Sequence, residues 1–221
     1  MAVAVLPRRD DEALARLDEA AGRARPVVDA GERAFPVADE LGELLPGGGL
    51  QRGSVVSVEG APGTGATAVA LHLAAAATGA GEWAAAVELH GSLGGLAARE
   101  AGIVLERFAV VPRVPPARWA SVVAALLDGV GLVLAEVPPH ARAGDARRLA
   151  ARAREHGTVL VAVGTTEGVW PAEATVRLYA EGSAWRGLAA GVGFLADRTL
   201  HVRVEGRAVR PRVEPVLVAA G

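Results

Sequence analysis

The chain has neither cysteine nor lysine among its 221 residues. Without cysteine it can form no disulfide and no thiolate metal site, and it has no cysteine nucleophile. All 23 basic residues are arginine, so no lysine from elsewhere in the chain can help to bind an anion. No uncharged apolar run reaches about 18 residues, the length that a transmembrane helix needs. These absences favour a soluble cytoplasmic protein without membrane contact.

The overall composition excludes further classes of site. The formal net charge of −2 does not by itself indicate nucleic-acid binding, which a strongly basic chain would suggest. The five histidines are scattered without the spacing of metal ligands, so we expect no metal site. A hydrophobic content of 51% in 221 residues suits one globular domain with a full core.

Strands and helices alternate along the middle of the chain. The predicted strands are 54–59, 83–89, 107–112, 131–137 and 158–164, and the predicted helices between them are 67–79, 95–102, 117–129 and 144–157. This alternation is typical of an α/β fold with a mainly parallel sheet flanked by helices. After about residue 174, alternating strands separated by glycine-containing turns predict an antiparallel extension at the C-terminal end.

Before residue 54 the pattern is helical. Acidic residues and a leucine face predict a helix over 10–24, and a second short helix is predicted over 36–45 before the PGGG break at 46–49. We therefore divide the chain into an N-terminal helical segment, residues 1–35, and a core with its C-terminal extension, residues 36–221.

The stretch GAPGTGAT, between a predicted strand and a predicted helix, has the form of a phosphate-binding loop. The pattern is G-x-x-x-x-G-K-[ST], whose glycines and helix N-terminus hold phosphate groups while the hydroxyl holds magnesium. Alanine stands where the lysine belongs, which removes the charge that balances the β- and γ-phosphates. A simple glycine-rich turn is the alternative interpretation. The positions of this candidate site are Gly60, Ala61, Pro62, Gly63, Thr64, Gly65, Ala66 and Thr67.

The acid that would hold magnesium should end a buried strand. Glu136 ends GLVLAE, where aspartate is usual, and it is either a degenerate metal or water ligand or an acid that makes only a hydrogen bond. Because charge stabilisation carries most of phosphoryl-transfer catalysis, the sequence predicts a pseudo-ATPase and not an enzyme. It predicts no required cofactor, and weak binding of ATP and magnesium through the remaining groups stays open.

The loop and its surroundings resemble the core of RecA. The segment ELLPGGGLQRGSVVSVEGAPGTGAT resembles the entry to that core, and LAAREAGIVLERFAVV resembles a later RecA segment; the resemblance covers roughly residues 40–180. It implies a RecA-like P-loop core. The matching positions outside the loop are Gly48, Gly49, Leu50, Gly53, Ala98, Arg99 and Gly102.

The departures from RecA concern its active parts. The acid that activates water in RecA falls near Glu88 to His90, either shifted in register or lost. Thr165 and Thr166 stand where RecA has a glutamine that leads to a long DNA-binding loop, and this loop is shortened here. RecA's carboxy-terminal domain is absent.

A short RecA-like chain with a damaged loop resembles the ImuA family, especially its ImuA-prime type. This resemblance implies an accessory role in the mutasome, which carries out translesion DNA synthesis and SOS damage-induced mutagenesis. It implies as partners an ImuB-like inactive polymerase homologue and an error-prone DNA polymerase, with RecA as a further candidate. Two alternatives remain: a RecA-like ATPase that uses an arginine, such as Arg52 or Arg99, in place of the lysine, and a cell-division inhibitor like SulA.

The C-terminal end is basic, with six arginines and three acids over residues 182–221. An aromatic ring beside arginines can stack on nucleic-acid bases, so this end is a candidate for DNA or partner contact. A solvated strand face is the alternative. By contrast, we interpret Trp119 and Trp170 as packing residues. The candidate contact residues are Trp185, Arg186, Arg198, Arg203, Arg207, Arg210 and Arg212.

Overall fold

The computed structural model describes residues 34–165, 168–187, 197–206 and 209–219. The predicted helix 10–24 lies outside the described residues, as do Thr166 and the candidate contact residue Arg207. Of Arg210, the backbone alone is described.

The main feature is an eight-stranded sheet. Its strands are β3 (Val55–Gly60), β4 (Ala84–Val87), β5 (Phe108–Val111), β6 (Leu132–Glu136), β7 (Val159–Gly164), β8 (Val176–Arg186), β9 (Asp197–Gly206) and β10 (Val209–Ala219). They lie in the order β10-β9-β8-β3-β7-β6-β4-β5. β3 to β8 run parallel, whereas β9 runs antiparallel to both β8 and β10. The prediction of an α/β fold with a mainly parallel sheet and antiparallel C-terminal strands is therefore confirmed.

Five α-helices connect and cover these strands within the described residues. The helices are α1 (Asp39–Glu43), α2 (Ala66–Gly79), α3 (Gly95–Glu100), α4 (Pro116–Leu127) and α5 (Ala143–His156). Helix α2, which follows β3, is rich in alanine, the strongest helix former. Helix α4 starts with a proline in its first turn, and α5 ends at Gly157 in the left-handed conformation that glycine favours.

Two hydrophobic cores lie on the two faces of the sheet. In β6, Leu132 and Leu134 belong to the core that contains α1 and α2, whereas Val133 and Ala135 belong to the core that contains α4 and α5. This follows from the period of two along a strand, and it explains why the central strands are apolar throughout. The packing role predicted for Trp119 and Trp170 is confirmed, because both are buried in the second core.

The start of the described chain differs from the prediction. The helix predicted over 36–45 is reduced to α1, because Pro36 instead ends strand β1 (Ala34–Pro36). β1 pairs antiparallel with β2 (Gly49–Gln51), and Phe35 opposite Leu50 is buried. This non-local pairing overrides the local helical pattern. The predicted boundary between residues 35 and 36 falls inside β1.

No helix in the described part of the chain is both long and apolar enough to cross a membrane.

Candidate functional site

The phosphate-loop segment lies at the carboxyl edge of the sheet. β3, which leads into it, is central and pairs parallel with β7 on one side and β8 on the other. The carboxyl ends of parallel strands are where open α/β sheets bind ligands. The loop predicted from the sequence therefore occupies the usual position of a ligand site.

The loop is a closed turn followed directly by a helix. Both the backbone N–H and the hydroxyl of Thr64 donate to the carbonyl of Ala61, at 3.1 and 2.8 Å. Helix α2 begins at Ala66, after Gly65 with a φ of 105°. The N–H groups of the first helical turn have no partner within their helix, so the loop retains the partial positive charge of a helix N-terminus.

The lysine position holds a buried alanine. Ala66 is only 8% exposed, and a cavity of about 210 Å³ lies beside the loop. The cavity is also lined by Val163, Gly164 and Thr165 from the end of β7, and by Arg198 from β9. Arg198 therefore adds a full positive charge at this cavity to the partial charge of the helix N-terminus, whereas neither Arg52 nor Arg99 lines it.

Arg198 connects the loop to the C-terminal strands. Its Nη2 donates to the carbonyl of Gly63 at 2.9 Å and to the hydroxyl of Ser183 at 3.0 Å. Its guanidinium carbon lies 5.1 Å from the ring centroid of Trp185, a cation–π distance. Its Nε is buried and has no hydrogen-bond partner among the described residues. Sequence reasoning assigned Arg198 to a DNA or partner surface and missed its contact with the loop.

Glu136, the expected metal-binding acid, makes hydrogen bonds with the segment that follows β4. Glu136 Oε2 accepts from the N–H of Leu89 at 2.7 Å, and Oε1 lies 2.7 Å from Nδ1 of His90. Both carboxylate oxygens therefore already have protein partners. This arrangement matches the second sequence interpretation of Glu136, an acid that makes a hydrogen bond.

Glu88, the candidate for the water-activating acid, is also bonded to backbone. It is 6% exposed, and its Oε1 accepts from the N–H groups of Ser92 and Leu93 at 2.9 and 2.7 Å. A carboxylate that satisfies two backbone donors stabilises the turn after β4. Among the described residues, no group of three or more acids and histidines could hold a metal ion.

A further acid near the loop was not singled out from the sequence. Glu59, directly before the loop, is paired with Arg177 Nη1 at 2.9 Å and accepts from the Ser57 hydroxyl at 2.5 Å. Arg177 also donates to the carbonyl of Ala172 at 2.6 Å. The alternation SVVSVE contained the signal, since Ser57 and Glu59 share one face of the strand.

A comparison with models of protein families gives a match. The family model described as the MT3502 N-terminal domain matches residues 43–172, more than half of the chain. The chain belongs to the MT3502 N-terminal domain family. That description states no activity and names neither RecA nor ImuA. No curated protein matches the chain.

The match to the MT3502 N-terminal domain includes the loop, Glu88 and Glu136 but ends before β8. The strands that carry Arg198 and the other C-terminal arginines therefore lie beyond the matched region. The contact that brings Arg198 to the loop joins the matched region to the part of the chain that follows it.

The C-terminal arginines do not share one environment. Arg203 donates to Glu181 Oε1 at 2.5 Å, pairs with Glu205 and lies 4.0 Å from the ring centroid of Tyr179. Burial, and then the charge of Glu59, raise the pKa of Tyr179 above its usual range.

Two further members of this set lie elsewhere on the strands. Arg212 donates to the carbonyl of Glu43 in α1, and its Nε lies 3.5 Å from Glu214. Arg186 lies at the end of β8, one residue after Trp185, which is 49% exposed. Of the predicted contact residues, the structure thus joins Trp185 and Arg198, while Arg203 and Arg212 are paired with other groups.

Proposed function

We propose that this protein is a RecA-like P-loop protein without catalysis, which acts as an accessory scaffold through protein–protein contacts. The observation that supports this most strongly is the use of Glu136. Its carboxylate, at the strand end where a P-loop protein holds its metal, accepts a backbone hydrogen bond from Leu89 and pairs with His90. Both carboxylate oxygens are thus engaged with the segment after β4, so magnesium at this position would compete with these interactions.

The missing lysine supports the same proposal. ATP carries about four negative charges, and losing one close ion pair in a partly desolvated site should cost several kcal/mol. Fast hydrolysis needs that charge stabilisation in the transition state. Ala66 stands where a lysine would stabilise the charge of the phosphates. Glu88, the candidate for activating water, is bonded to backbone N–H groups.

The decisive test of the loop is ATP binding by calorimetry, with phosphate release followed in parallel. We expect wild type to give no heat and no release, and Ala66→Lys to restore binding. Ala80→Lys, which adds a lysine at the exposed far end of the same helix, is the control. Tight binding and hydrolysis by wild type would contradict the proposal.

The biological setting rests on the resemblance to ImuA. We propose a cytoplasmic role in translesion synthesis and SOS mutagenesis, with an ImuB-like inactive polymerase homologue and an error-prone polymerase as partners. Mixing the purified proteins and measuring co-elution by size exclusion with light scattering tests this. If the protein forms a complex with neither partner, the proposed role in the mutasome is wrong, whatever the result for ATP.

One observation favours a second function, an ATPase or ATP-binding protein that uses arginine for the missing charge. Arg198 lines the loop cavity and is held over the loop. A ligand that binds only the native state must raise the unfolding midpoint as its concentration rises. A rise with ATP and magnesium in wild type that disappears in Arg198→Ala would favour this function over the scaffold.

A further inference from the structure

We propose that the loop now serves as an anchor for the C-terminal strands, with Arg198 and Leu200 of β9 occupying it from within the chain. This goes beyond the scaffold proposal, because it assigns the loop a present role that requires no nucleotide and no partner. The anchor is defined as the contact of Arg198 and Leu200 with Gly63 and Gly65.

The strands need such an anchor because they extend past the rest of the sheet. The last pair between β3 and β8 is Gly60 with Ala180. Beyond it, residues 182–186 of β8 pair with residues 197–201 of β9, which in turn pairs with β10. We call residues 182–186 and 197–201 the overhang. Within the overhang, Trp185 lies opposite Arg198, and Ser183 lies opposite Leu200.

The first half of the anchor is apolar packing on a loop glycine. Leu200 is fully buried. A methyl group added at Gly65 would lie 2.5 Å from Cδ2 of Leu200 and 3.2 Å from Nη2 of Arg198. β9 therefore approaches the loop so closely that a side chain at Gly65 would force the buried Leu200 to shift. This packing favours glycine at position 65, whether or not a phosphate ever binds.

The second half is the guanidinium group. A single nitrogen, Nη2 of Arg198, donates both to the loop carbonyl of Gly63 and to the hydroxyl of Ser183 in the overhang. The group also lies over the ring of Trp185. One side chain thus holds the loop, the β8 side of the overhang and an exposed aromatic ring together. Loosening the loop should consequently loosen the surface around Trp185.

Hydrogen–deuterium exchange on the full chain, without nucleotide or partner, tests the anchor. We expect Arg198→Ala to raise exchange by about tenfold or more in peptides covering 60–67 and 182–186, because local opening lowers protection there first. Arg198→Lys keeps a donor for the Gly63 carbonyl and should recover part of the protection. The matched control is Arg203→Ala, which removes another arginine of β9 whose described partners are Tyr179, Glu181 and Glu205.

Two results would overturn the proposal. The first is unchanged exchange of the loop in Arg198→Ala, or an equal rise in Arg203→Ala. The second is protection of the loop by millimolar inorganic phosphate in wild type but not in Arg198→Ala, which would make Arg198 an anion ligand. If Arg198→Ala unfolds globally, Ser183→Ala is the substitute variant, because it removes only one acceptor of Arg198. It should raise exchange at residues 182–186. A failure here leaves the ATP and partner tests of the proposed function unaffected.

Discussion

At the scale of single residues, the loop glycines meet local requirements of the fold. A methyl group at Gly60 would lie 2.4 Å from the Thr64 hydroxyl and 3.0 Å from the carbonyl of Ala180. Gly65 adopts a φ of 105° under the side chains of Arg198 and Leu200. These constraints act in the absence of a nucleotide, so the fold itself favours the glycine pattern of the loop without a lysine at position 66.

We therefore expect Gly65→Ala to destabilise the protein. The left-handed backbone alone costs a non-glycine residue about 1–2 kcal/mol, and the contact with buried Leu200 adds to this. Gly79→Ala is the matched control, since it ends the same helix at a position where an added methyl meets no atom within 4 Å. Urea unfolding measures both free energies. Equal values for the two variants would contradict the tight contact at Gly65.

The only tyrosine of the chain allows a clean titration. Burial, and then the charges of Glu59 and Glu205, raise the pKa of Tyr179. Ultraviolet absorbance of the phenolate should therefore rise at higher pH than for a free tyrosine, whose pKa is about 10. Because the folded pKa is raised, the associated stability is complete below pH of about 10 and is lost as pH rises through the folded pKa.

Glu59→Gln provides the internal test of that cause. Removing the carboxylate should lower the pKa of Tyr179 toward the ordinary value without changing the number of titrating phenols. A titration curve that does not move in Glu59→Gln would exclude the charge of Glu59 as a cause and leave burial and the charge of Glu205.

At the scale of elements, one ion pair joins the end of α4 to α5. The N–H groups of Arg152 Nε and Nη2 both donate to the carboxylate of Asp128. Nε2 of His156 lies 3.4 Å from Oδ1 of the same carboxylate. The hydrogen bond from Arg152 is the main cause that holds the pKa of Asp128 below its ordinary value. The pair thus connects two helices that cover the same face of the sheet.

We expect Arg152→Ala to raise the pKa of Asp128 toward an unfolded value of about 3.9. A depressed carboxyl pKa contributes stability above the unfolded pKa, and this contribution is lost as pH falls through the lower folded pKa. Carboxyl carbon NMR during an acid titration measures the shift. Arg148→Ala, which removes the Asp145 pair of the same helix, should leave Asp128 unchanged; an equal effect on Asp128 would contradict a local cause.

The elements also differ in how well the sequence predicted them. Strands β6 and β7 were predictable because both faces of a central strand are apolar, and α5 because Gly157 ends it. β1 and β2 were missed, since three residues show no periodicity and their pairing is non-local. The loop was predictable as local sequence. The Arg198 contact was not, because it joins residues 135 positions apart.

At the scale of the whole molecule, the C-terminal strands connect several parts of the fold. Val216 of β10 lies in the core beside α1, Arg212 bonds to the end of α1, and Arg198 bonds to the loop. Among the arginines of this end whose side chains the structure describes, Arg198, Arg203 and Arg212 make internal contacts. Arginines engaged in this way have fewer donors left for an external phosphate backbone.

The last prediction concerns DNA. We expect labelled single-stranded DNA to show, at physiological salt, only weak anisotropy changes that decline little as salt is added. The reason is that a protein that neutralises several phosphates loses affinity steeply with salt, whereas Arg203 and Arg212 are already paired with Glu181, Glu205 and Glu214. A steep salt dependence that becomes shallower in Arg203→Ala or Arg212→Ala would show instead that these ion pairs open to phosphate. It would add direct DNA contact to the scaffold role.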